Sequence, residues 1–82
     1  MILVELAVPA LGQRYDFDLD ENVRVRALLP EMVEIISQKE HCSFGCPAEE
    51  MSIYSVTRQL RLAMDATVQR NGIINGEKLI LI

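Results

Sequence analysis

Tryptophan is absent from this chain, and two Tyr and two Phe make up its whole aromatic complement. Half of the residues are nonetheless hydrophobic, so the core must be built from Ile, Leu and Val. Cysteine is equally sparse: Cys42 and Cys46 are too few for the disulfide framework of a small secreted domain. Basic charge is scarce too. Eight Lys and Arg against twelve Asp and Glu leave a net charge of −4, and no Lys/Arg run provides the electropositive footprint of a nucleic-acid binder. No hydrophobic run is long enough to cross a bilayer, and Glu5 interrupts the apolar opening Met1–Val8. That opening also lacks the charged n-region and small-residue cleavage site of a signal peptide. The expectation is a cytoplasmic protein with both thiols reduced, no nucleic-acid partner and no direct membrane insertion.

The 82 residues amount to one small domain, 1–82. A chain of this size hides only roughly 60–65% of its unfolded surface, so its core must be efficient. Ile2, Val4, Leu6 and Val8 share one parity, which predicts a strand with a fully apolar face. Pro9 to Gln13 supplies turn residues, since Pro cannot continue a ladder and Gly12 tolerates positive φ. Residues 14–19 then alternate: Tyr15, Phe17 and Leu19 face inward, while Arg14, Asp16 and Asp18 face water. Two such strands joined by a short loop form an antiparallel hairpin.

The period then changes. Val25, Leu28, Leu29, Met32, Val33 and Ile36 recur at helical spacing, opposite Arg26, Glu31, Glu34 and Lys39, predicting one amphipathic helix across the hairpin's apolar face. Asp20 and Asn22 are good capping types. Pro30 conflicts with a helix interior because it lacks an N–H, so the turn at residues 25–29 is expected to be loose or 3₁₀-like. Residues 40–50 show no period and read as a loop. Ser52–Val56 forms a third strand rich in β-formers, and Leu60 and Leu62 lie in a short extended segment. Thr67 caps a brief helical turn at residues 68–71, which Gly72 ends. Asn75-Gly76 is a strong turn dipeptide before the last strand, Glu77–Ile82. The first and last strands are the most continuously apolar, as expected of neighbours in the centre of a mixed sheet. The reading is an α+β, β-grasp (ubiquitin-like) fold, a mixed four- to five-stranded sheet with one main helix packed across one face.

Thr67-Val68, Gly72-Ile73, Asn75-Gly76-Glu77, Leu79 and Leu81, together with the helix, resemble ubiquitin-like proteins. The closing Gly-Ile-x-Asn-Gly-acid-x-Leu segment is similar to that of the small YukD/EsaB group of type VII secretion loci in Gram-positive bacteria. Leu28-Leu29-Pro30 also resembles the ubiquitin-like domain that begins the type VII membrane channel subunit. The resemblance implies a bacterial accessory or regulatory protein that acts by binding proteins, secretion-system components among them. It brings no catalytic residues.

Conjugation or sulfur transfer through this fold needs a flexible Gly-Gly tail, whereas the sequence ends on the β-branched Ile82. The expectation is therefore a non-conjugating adaptor. The alternative is a sulfur-carrier-type β-grasp protein whose Gly-Gly lies beyond Ile82. His41, Cys42 and Cys46 provide three possible metal ligands on one loop. Structural zinc wants four, and no second cluster supplies the fourth. A Cys-x-x-x-Cys redox pair lacks the helix-N-terminal setting that lowers a thiol pKa, and adjacent His41 and Cys42 seldom reach nucleophile–base geometry. No enzyme activity, metal or cofactor is expected. What remains is a surface. If Leu79 and Leu81 face the helix, Ile80 and Ile82 point to the opposite sheet face with Leu3, Ala7 and Tyr54. These five residues are the candidate protein-interaction surface, open to a partner protein or to weak homo-oligomerisation.

Overall fold

The computed structural model describes residues 1–82 apart from Ser43 and Cys46. Its elements are β1 (Ile2–Val8), β2 (Gln13–Leu19), α1 (Val25–Glu40), a 3₁₀ turn (Ala48–Glu50), β3 (Ile53–Ser55), β4 (Leu60–Arg61) and β5 (Glu77–Leu81). Strand order in the sheet is β2-β1-β5-β3-β4. β1 pairs antiparallel with β2 and parallel with β5, and β3 pairs antiparallel with both β5 and β4. The two most apolar strands thus lie side by side in the centre, as their loss of polar alternation predicts.

One face of this sheet is the core. Ile2, Val4, Leu6 and Val8 of β1 are buried, and so are Leu79 and Leu81 of β5 and Ile53 of β3. Val25, Leu29, Met32 and Ile36 of α1 close over them. Tyr15 and Phe17 of β2 pack against the margin, half-buried, with ring centroids 6.4 Å apart. Lys39 lies 5.5 Å from the Tyr15 ring centroid, close enough for a cation–π contact between helix end and edge strand.

The start of α1 corrects the expectation of a loose first turn. The helix is continuous from Val25 and carries Pro30 inside it. Arg24 at its head makes no side-chain cap; the loop at residues 64–66 satisfies the orphan donors instead. Val25 N–H donates to the Ala66 carbonyl at 3.1 Å, and Arg26 N–H to the Met64 carbonyl at 2.8 Å. Ala27 N–H reaches the Arg24 carbonyl at 3.0 Å, and Leu28 N–H reaches the same oxygen at 3.2 Å. The 3₁₀ character is therefore confined to one shared acceptor. Asp20 spends its carboxylate on a local turn, accepting Asn22 N–H at 2.9 Å.

Three further boundaries differ from expectation. Ala48–Glu50 forms a 3₁₀ turn within the expected loop. Residues 68–71 make hydrogen-bonded turns rather than a helix, although Thr67 Oγ1 does accept Arg70 N–H at 3.1 Å. β3 is confined to Ile53–Ser55. Even so, the β3–β5 pairing runs past the assigned ends: Ser52 and Ile82 exchange backbone hydrogen bonds at 2.7 and 2.9 Å, and Val56 N–H donates to the Lys78 carbonyl.

Candidate functional site

The face of the sheet away from α1 carries the predicted surface, and strand register decides which of its residues meet. Ala7 lies opposite Ile80, and Ile80 lies opposite Tyr54. Directly paired residues in a sheet project to the same face, so these three form one rung across β1, β5 and β3. Ile82 follows two residues on, 63% exposed, beside Ser52. Leu3 shares the face but stands apart. The Glu5–Lys78 pair lies between it and the Ala7–Ile80 pair, and four residues of strand put Leu3 about 13 Å from Ala7. Leu3 is held instead at the Asn75-Gly76 turn, where its N–H donates to Asn75 Oδ1 at 2.9 Å and its carbonyl accepts Gly76 N–H at 2.7 Å.

Tyr54 is 37% exposed and Ile80 is half-buried by its neighbours. Val56, exposed and of the same parity as Tyr54, extends the apolar surface; the sequence reading passed over it as a strand end. Around this area the register sets Arg14 beside Ala7, Arg61 beside Tyr54, and Asp16 beside Glu5. The geometry is therefore an apolar strip bordered by charge of both signs.

Behind the strip, at the start of β5, lies a polar cluster that the sequence did not reveal. Glu77 is buried, its side chain 2% exposed. Its Oε2 accepts Ser55 Oγ–H at 2.7 Å and Arg58 Nη2 at 2.8 Å, and its Oε1 accepts Ile74 N–H at 3.2 Å. Burial by itself raises the Glu77 carboxyl. The hydrogen bonds from Ser55, Arg58 and Ile74, together with Arg58's charge, outweigh that and hold it below its ordinary range. Arg58 also donates through Nη1 to the Asn71 carbonyl. Asn71 in turn bridges Ala63 and Thr67 through three side-chain hydrogen bonds of 2.8–3.0 Å. Gly72 has φ +72°, and a Cβ there would stand 3.2 Å from Arg58 Nη1. The cluster ties β5, the residue 56–59 turn and the residue 67–72 turns into one unit.

His41 is the left-handed residue that ends α1 (φ 54°), and Cys42 N–H donates to the Ser37 carbonyl at 3.1 Å. Cys46 lies outside the described residues. Among the described residues no three His, Cys, Asp or Glu side chains form a metal-binding group, and no helix is long and apolar enough to cross a membrane.

A mixed sheet in this order with one helix across it defines the ubiquitin-like β-grasp class. A ubiquitin-like domain of Arabidopsis thaliana superposes with a TM-score of 0.71 at 18% identity, covering 99% of this chain and 74% of that one. Ubiquitin of Caldiarchaeum subterraneum gives 0.67 at 16% identity, covering 99% and 90%. Protomer 1 of the ESX-3 core complex gives 0.73 at 18% identity, covering 99% of this chain but 15% of that much longer one. No curated protein matches the sequence. The family model for YukD, a protein of the WXG100 protein secretion system (Wss), matches residues 3–81. The chain belongs to the YukD family.

Proposed function

We propose that this protein is a cytoplasmic accessory of a WXG100 (type VII) secretion system that acts by binding other proteins, neither as an enzyme nor as a conjugated modifier. The family match over residues 3–81 carries the reading. The likeness to a protomer of the ESX-3 core complex agrees with it, since the same fold occurs there inside a secretion assembly. Supporting the binding role is the Ala7–Ile80–Tyr54 rung with Ile82: its side chains offer a partner an apolar anchor, and Tyr54 adds a polar handle at one end. Leu3 belongs to the same face as a separate contact point.

The test is co-purification of the tagged protein from its own cells, with wild type and Ile80→Asp compared side by side. Secretion-system components should accompany the wild type and be lost with Ile80→Asp while both proteins melt alike. Recovery of no secretion component, with an unchanged secretome in a deletion strain, would overturn the proposal.

A further inference from the structure

A cavity of about 210 Å³ opens beside the β4 edge of the sheet, lined by Arg26, Leu29, Pro30, Ala48, Glu49, Met51, Arg61 and Met64. It is smaller than the roughly 300–1,000 Å³ of small-molecule and cofactor sites, and its size suits a single apolar side chain. Two methionines give it walls that adapt to shape. On an acidic protein, the charged part of this lining is locally basic: two arginines against one glutamate. Arg26 is joined to Asp65 at 2.8 Å, but both side chains are largely exposed, 68% and 82%, and an ion pair so wet is readily exchanged. Arg61 makes no ion pair with a described residue.

The backbone beside the cavity is also available. β4 is the last strand in the order. Leu62 N–H donates inward to the Ile53 carbonyl at 2.9 Å, and the alternation of an antiparallel ladder turns the N–H and C=O of the preceding residue, Arg61, outward. An extended chain laid along this edge gains a backbone pair at Arg61, one of the residues that border the cavity.

We infer that the β4 edge and its cavity form a second protein-binding site, for an extended segment carrying an apolar side chain next to a carboxylate. The apolar group fills the cavity, the carboxylate of the adjoining residue, turned to the opposite face of the extended segment, meets Arg61 beside Tyr54, and Glu49 disfavours a second acid at the cavity. The site shares Arg61 with the border of the open-face strip, but its cavity lies on the other side of the sheet and does not need that reading to hold.

Two acetylated, amidated tetrapeptides, Gly-Leu-Glu-Gly and Gly-Leu-Gln-Gly, test it by amide chemical-shift titration of the isotope-labelled protein. The Glu peptide should shift residues 48–51 and 60–64 saturably and bind about two- to fivefold tighter than the Gln peptide. In the double variant Arg26→Gln/Arg61→Gln the two peptides should bind equally. Ile80→Asp should leave both affinities unchanged, which separates this site from the open face. Equal binding of the two peptides by wild type, shifts centred on Ala7, Tyr54 and Ile80, or no saturable shift at millimolar peptide would each overturn the assignment.

Discussion

Glu77→Gln tests the buried cluster most sharply, because it changes the charge while keeping the shape. The native carboxylate takes three donors, at 2.7, 2.8 and 3.2 Å. Glutamine keeps one acceptor oxygen and presents an NH₂ group to the remaining donors, so one donor–donor contact is unavoidable. Hydrogen bonds to a charged group contribute about 1.5–3 kcal/mol. Arg58 is 32% exposed and recovers part of its solvation when its partner is neutralised, which lowers the penalty. The net loss at neutral pH is therefore about 2–3 kcal/mol. That is a large fraction of the roughly 4–12 kcal/mol available to a chain of this length. The melting temperature should fall by roughly 8–24 °C. The sign with pH follows from the lowered Glu77 carboxyl, whose ordinary value is 4.5. A folded value below the unfolded one stabilises the fold fully above the unfolded value, and that contribution disappears as pH falls through the folded value. Urea denaturation of both proteins from about pH 7 to about pH 3 reads this directly. The gap between them should be widest and flat at neutral pH, and should narrow as the native carboxylate takes up its proton. Equal midpoints at neutral pH, or a gap unchanged through the acid range, would refute the reasoning.

Other substitutions check neighbouring parts of the argument. Leu6→Ala empties a fully buried site between β1 and α1 and should cost about 2–5 kcal/mol, measured by urea midpoint. Gly72→Ala combines φ +72° with a close approach to Arg58 Nη1, and should cost about 1–3 kcal/mol by the same assay. Asn71→Ala removes three side-chain hydrogen bonds; hydrogen exchange at the Ala63 amide should accelerate, with a loss of about 1–3 kcal/mol. Ile80→Asp should stay within about 1 kcal/mol of wild type while abolishing partner recovery. A collapse of its melting temperature would instead place Ile80 in the core.

The fold was legible because period and parity agree over long segments. Residues 14–19 of β2 alternate cleanly, Ile2, Val4, Leu6 and Val8 keep one buried parity in β1, and the helical repeat from Val25 to Ile36 admits no strand reading. Where pattern failed, tertiary contacts had overridden local propensity. Pro30 argued for an irregular first turn, yet carbonyls of Met64 and Ala66 bond the leading N–H groups of α1. No local signal around residue 25 announces a partner forty residues away. Thr67 was a sound capping signal, and it does accept Arg70 N–H. Asn71 then turns its side chain back to Ala63 and Thr67, and the segment closes as successive turns.

The two candidate sites mark a sharper division. The open-face residues could be read from β-strand parity alone, because Leu79 and Leu81 facing inward forces Ile80 and Ile82 outward. Which of them touch could not, since adjacency depends on register. The parallel pairing of Ala7 with Ile80 separates Leu3 from the rest, and only a register shifted by four residues would have joined Leu3 to Ile80 instead. Glu77 shows the opposite failure. Its parity is that of Leu79 and Leu81, so strict alternation would have put it in the core; its charge and its place after a turn favoured water. The conflict is resolved by Ser55 of β3 and Arg58 just beyond it, which supply donors to the buried acid. A buried carboxylate is stable only with such partners, so an acid on the apolar parity of a central strand is itself a reason to search the neighbouring strand's turn for an arginine.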